Sequence, residues 1–112
     1  MDNPVEYIEK NYPETARSFK VYQREQYELF CRKQMDYGPG NIAMGTTLES
    51  DDDINLSLTG LCVRMNDKIN RLVNLVLRQK QSPQNESVID TFDDLGVYGI
   101  IARIVSEGFW GK

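Results

Sequence analysis

Residues 85–105, NESVIDTFDDLGVYGIIARIV, decide how the chain is read, because their acids point the wrong way for a solvated helix. With about 100° per residue and Asp90 set at zero, Val97, Ile101 and Ile104 fall within roughly 40° of it. On the same wheel Asp94 lies at about +40° and Asp93 at about −60°. One stripe therefore runs from carboxylates directly into aliphatics. From Leu95 to Val105 the segment is apolar on nearly every face except Arg103, which predicts a central helix with its stripe buried. A carboxylate beside a buried stripe needs a cation or a hydrogen-bond donor as partner. Gly96 and Gly99 lower helix propensity here and are read as points of close helix approach.

Working outward, the preceding segment supplies candidate partners. A helix is predicted over 56–80, ended by Gln81, Ser82 and Pro83, with Asn85 or Ser87 capping the last helix over 86–107. Relative to Arg64, the residues Asp67, Lys68 and Arg71 fall within about 60°, so the four share one face. Leu61, Met65, Ile69, Leu72, Val73 and Val76 form the adjoining apolar face, and Asn66, Asn70 and Asn74 a neutral row. Two readings stay open. The bases are an exposed face with Asp67 and Arg71 as an i,i+4 pair, or they border the core and meet Asp90, Asp94 or a bound phosphate. Arginine suits both tasks because its planar fork bonds carboxylate or phosphate in two places.

Nearer the start, Asn3 and Pro4 open a short helix to about Asn11, and Pro13 begins a long one that stops at Gly38, Pro39 and Gly40. Its core stripe is expected to hold Phe19, Tyr22, Gln26, Leu29, Phe30, Lys33 and Tyr37, while Glu25 and Glu28 lie on the far side. Lys33 stands one turn before the breaker, where the rim of a site would lie. Residues 38–55 read as one long loop, often functional or mobile in a small domain, with Asp51, Asp52 and Asp53 as a solvated acidic turn. Without a convincing period of two, the chain reads as a single all-α domain over 1–112: a small helical bundle with an N-terminal short helix in 1–12. Its core joins helices 14–37, 56–80 and 86–107.

Composition bounds the function. A formal charge of −4 and a pI near 4.8 argue against a duplex DNA partner, which asks for a basic surface. With no histidine and no paired-cysteine motif, a zinc site is not expected. Cys31 and Cys62 each sit in a predicted helix, where buried reduced thiols are favoured over a disulfide. Neither a signal peptide nor an apolar run long enough for a membrane is recognised, so a soluble cytoplasmic protein is expected. Phe109 and Trp110 follow a helix-ending Gly108 and have little core to enter; they dock either on their own subunit or on a partner, and a homo-oligomer, most simply a dimer, is favoured.

The runs 33–41 (KQMDYGPGN), 64–72 (RMNDKINRL) and 86–102 (ESVIDTFDDLGVYGIIA) together resemble a family of small phage and bacterial proteins, the nucleotide modification-associated domain 1 family. The resemblance covers roughly residues 20–107 in order. It implies a place in phage nucleotide or base-modification pathways, acting in the host cytoplasm if phage-encoded. The residues it singles out are Lys33, Asp36, Tyr37, Asn41, Arg64, Asp67, Lys68, Arg71, Asp90 and Asp94.

A more distant similarity is to the all-α nucleoside triphosphate pyrophosphatases of the MazG and dimeric dUTPase type. Those enzymes hold Mg²⁺ with a Glu-x-x-Glu helix and a Glu-x-x-Asp helix, and the segment 93–96 (DDLG) looks like their second motif. That similarity puts Asp90 and Asp93 or Asp94 in the acidic positions that would hold Mg²⁺. Together with the first resemblance it leads us to expect chemistry at Asp90, Asp94 and Lys33, and substrate held by Arg64, Lys68, Arg71, Asp36, Tyr37 and Asn41. Two features depart from that pattern: Glu25 and Glu28 face away from the core stripe, and about sixty residues separate them from Asp90.

Three classes of function follow. The first is a Mg²⁺-dependent nucleotide pyrophosphatase, a symmetric oligomer completing its acid site across an interface. The second is a non-catalytic nucleotide-binding protein that sequesters its ligand during infection, using Lys33, Arg64, Lys68 and Arg71 for phosphates and Tyr37 or Tyr98 for the base. The third is a helical interaction protein in which the acids and bases only pair internally.

Overall fold

The computed structural model describes residues 3–112, and every described element is helical. The first two residues of the expected 1–12 segment lie outside that range. Helices α1 (Pro4–Asn11) and α2 (Pro13–Tyr37) begin as anticipated, each with proline in its first turn. Asn3 caps α1 by accepting a hydrogen bond from the Val5 amide at 2.8 Å. Gly38, at φ +68°, ends α2.

The expected 38–55 loop is shorter than its composition suggests. A single turn, α3 (Gly40–Ala43), places Ile42 and Ala43 in the core, and α4 begins at Asp51. The acidic run is the first turn of α4 rather than a free loop. Ser50 caps it by accepting from the Asp53 amide at 3.1 Å, and three carboxylates sit where the helix's partial positive charge is greatest. Helix α4 (Asp51–Leu72) runs on into a π-helical turn, Val73–Arg78, and α5 (Glu86–Ser106) returns antiparallel to it with Asn85 as its cap.

The core lies between α3, α4, α5 and the C-terminal tail. Leu61, Val97, Ile101 and Val105 meet Ile42 and Ala43 there, closed on one side by Trp110. That tryptophan docks on its own subunit. Its ring meets Phe30 edge-on at 6.0 Å, and its indole N–H donates to the Pro39 carbonyl at 3.1 Å. Phe109 remains exposed.

Helix α2 corrects the expected three-stripe core, since it has no buried residue. It crosses α5 at Gly96, where a Cβ would lie 2.6 Å from the Gln26 side-chain oxygen, so the glycine permits the approach. Gly99 does no such work, with nothing within 4 Å of its would-be Cβ. Before that crossing, the stripe residues Phe19 and Tyr22 are exposed. The α1–α2 hairpin thus projects as an arm, held to itself by Lys20 and Glu9 at 2.7 Å. The Cα radius of gyration, 16.8 Å, exceeds the about 13 Å of a compact domain this long.

Both cysteines are free, but neither is buried as expected: Cys31 is half-buried and Cys62 exposed. No described helix is long and apolar enough to cross a membrane.

Candidate functional site

Three helices and one turn converge on Asp94. Its inward position follows from the true phase of α5. Val88, Thr91, Val97, Ile101 and Val105 are the buried residues of that helix. Their mean direction lies roughly 60° from Asp90 but only about 20° from Asp94. Asp90 is accordingly exposed and makes no ion pair among the described residues, which corrects the expectation that it shares the site.

Asp94 is the hub. Lys33 of α2 donates to its Oδ1 at 2.9 Å, and Lys68 of α4 reaches its Oδ2 at 2.9 Å. The Asp94 side chain is only 15% exposed. Burial alone would push its carboxyl upward, but hydrogen bonds from Lys68 and Lys33 prevail and hold it below the usual carboxylate range. For Lys33 the balance mirrors this. Burial disfavours its charge, yet the bond to Asp94 and that carboxylate's field hold the ammonium above the usual lysine range.

Around this bridge lies a cleft of about 390 Å³. Lys33, Arg64 and Lys68 supply three cations against the single carboxylate of Asp94, a net of two positive charges. Tyr37 and Tyr98 stand on its walls, and Leu29, Phe30, Val97 and Ile101 provide apolar surface. Arg64 is positioned by donating to the Asn41 backbone carbonyl at 3.0 Å. The Asn41 side-chain oxygen is buried beside the cleft and accepts no hydrogen bond. An orphan acceptor is costly in a folded protein, and a ligand donor or an ordered water is the usual remedy.

The structure thus gathers Lys33, Tyr37, Asn41, Arg64, Lys68 and Asp94 from the expected set. Asp36, Asp67 and Arg71 are exposed and do not line the cleft. Arg71 lies one turn past Lys68, but α4 turns that position to solvent. Sequence reasoning misses Gln34, which also lines the cleft. Its signal is weak, only an i+4 relation to Phe30.

The acids do not form a metal cage. Asp93 accepts from Gln26 at 3.2 Å, Asp94 is bound by two ammonium groups, and Asp90 faces away. Among the described residues no group of three potential acidic, histidine or cysteine ligands converges. Glu25 and Glu28 are exposed, with Glu28 3.5 Å from Arg24. The donor set on one chain therefore does not fit Mg²⁺, which prefers several hard oxygen ligands. Comparison of the chain with protein-family models, curated proteins and solved structures returned no match.

Proposed function

We propose that the protein binds a nucleotide or a closely related phosphorylated small molecule in the Asp94 cleft, without hydrolysing it on one chain's residues alone. The observation that carries this reading is the excess of cations. Lys33, Arg64 and Lys68 surround one carboxylate in an open cleft, more positive charge than internal pairing needs. In a chain of net charge −4, such a local excess suits an anion. Arg64 and Lys68 take the phosphate, with Lys33 at the more exposed edge. Tyr37 or Tyr98 stacks on the base, and the apolar wall formed by Val97 and Ile101 receives the sugar face.

The same reading accommodates the resemblance to the nucleotide modification-associated family, because the positions shared with it include all three cleft cations. Mg²⁺ enters here on the ligand's phosphates rather than in a protein cage. A purely internal role for the cluster would leave the second net charge and the open cleft without use.

The test is a thermal-shift and calorimetric screen of nucleoside mono-, di- and triphosphates with and without Mg²⁺. A ligand at 100 times its Kd should stabilise the fold by about 2.7 kcal/mol. Binding should be retained without Mg²⁺ and lost in Lys68→Ala and Arg64→Ala. Absence of any shift with all nucleotides would overturn the reading.

A further inference from the structure

Helix α4 has three faces, and the third has no partner within the chain. Ser57, Leu61 and Met65 turn toward the core, while Arg64 and Lys68 edge the cleft. The outward face carries Leu56, Val63 and Ile69, and Leu77 follows in the π-helical turn, with Val63 58%, Ile69 48% and Leu77 67% exposed. Cys62, Asn66 and Asn70 lie between them and are also exposed. A soluble chain seldom leaves so long an apolar strip to water.

We infer that this face of α4 is the seam of a homodimer, covered by α4 of a second copy of the chain. Three features of the seam select that occupant. First, Leu56, Val63 and Asn70 recur every seven residues along α4, the period at which one helix keeps a continuous seam against another. Second, within α4 the seam from Asn55 to Asn70 contains no Asp, Glu, Lys or Arg across roughly 160° of the helix surface. A self-pairing interface brings each patch against its own copy, so a charged patch would repel itself and a neutral one does not. Third, Asn66 and Asn70 are both donors and acceptors, so each amide can satisfy a copy of itself or of the other across the axis. A polar Asn in such a seam also fixes register at some expense of stability. Within α4 the seam from Asn55 to Asn70 is about 23 Å long, and the π-helical turn carries it on to Leu77.

Arg64 and Lys68 lie about 160° from the centre of the seam on the same helix, so pairing would leave both anion-binding clefts facing away from the interface. The seam itself does not depend on the clefts being occupied.

Light scattering and sedimentation at tens of micromolar decide the matter. The wild-type chain should give twice its 12.9 kDa mass. Val63→Lys and Asn66→Lys each set like charges against one another across the axis, and each should raise the dissociation constant at least tenfold, to a monomer mass at the same concentration. Val21→Lys, on the exposed arm, should leave the dimer intact. Asn66→Lys alters a side chain that is already polar and exposed, so it remains decisive even if Val63→Lys impairs folding. A monomeric wild type, as with a different protein on this face, overturns the inference. A dimer that survives both seam substitutions does so too.

Discussion

Lys68 and Asp94 meet at 2.9 Å across the α4–α5 interface, and Lys68 takes the carboxylate oxygen that Lys33 leaves free. One acid thereby ties the helices that frame the cleft, while both ammonium groups stay at its surface. Structure and proposed binding are coupled through this single side chain, and opposite consequences follow when it is changed.

Asp94→Asn should destabilise the fold yet strengthen anion binding. Two charge-assisted hydrogen bonds weaken, for a loss of about 1–3 kcal/mol in urea unfolding. At the same time the net charge of the cleft rises from two to three, so nucleotide affinity should hold or increase. If the acid instead bound an essential metal, calorimetry would show affinity abolished. Asp90→Asn, by contrast, should change both quantities by less than about 0.5 kcal/mol, because Asp90 is solvated.

The pH dependence of stability has a defined sign. The Asp94 carboxyl lies below its ordinary value of 3.8, so near that pH the unfolded chain binds more protons than the folded one. Its contribution is fully present above about pH 4 and drains as pH falls through the lower folded value. Lys33 lies above its ordinary 10.5, so its contribution is complete below that pH and is lost as pH rises beyond it. Denaturant midpoints of wild type and Asp94→Asn should converge on the acid side. Parallel curves through pH 4 would contradict the assignment.

Gly96 and Gly99 should respond in opposite directions to alanine. At Gly99 the new methyl meets nothing, so Gly99→Ala should stabilise by roughly 0.5–1 kcal/mol through helix propensity. At Gly96 it meets the Gln26 side chain, so the same gain is offset or reversed as Gln26 moves and its bond to Asp93 is disturbed. Combining Gly96→Ala with Gln26→Ala should recover stability non-additively in a double-mutant cycle.

Trp110 is the chain's one tryptophan and reports on the closure of the core. Its emission should be blue-shifted in the folded state and move red in a single transition on unfolding. Trp110→Phe keeps most of the packing but removes the indole donor and leaves the Pro39 carbonyl with the Ala43 amide alone, for about 1 kcal/mol. Trp110→Ala should cost about 3 kcal/mol or more by chemical denaturation.

Local chemistry in the sequence was sufficient for the helical class and most helix ends. Pro13, Gly38 and Asn85 act on backbone φ, missing donors and orphan amides within a few residues, so their effect is legible without a fold. The Lys33, Lys68 and Asp94 cluster was legible for a related reason: charges that border apolar stripes must meet when the stripes do. Periodicity gives the width of a stripe but not the direction in which packing turns it. Only the tertiary structure set the phase of α5, which brings Asp94 inward and leaves Asp90 in water. It likewise decided that α2 crosses α5 at Gly96 and leaves Phe19 uncovered, and that Trp110 closes its own subunit's core. Those outcomes depend on crossing angles and on residues far apart in the chain, such as Trp110 and Pro39, whose meeting no local pattern encodes.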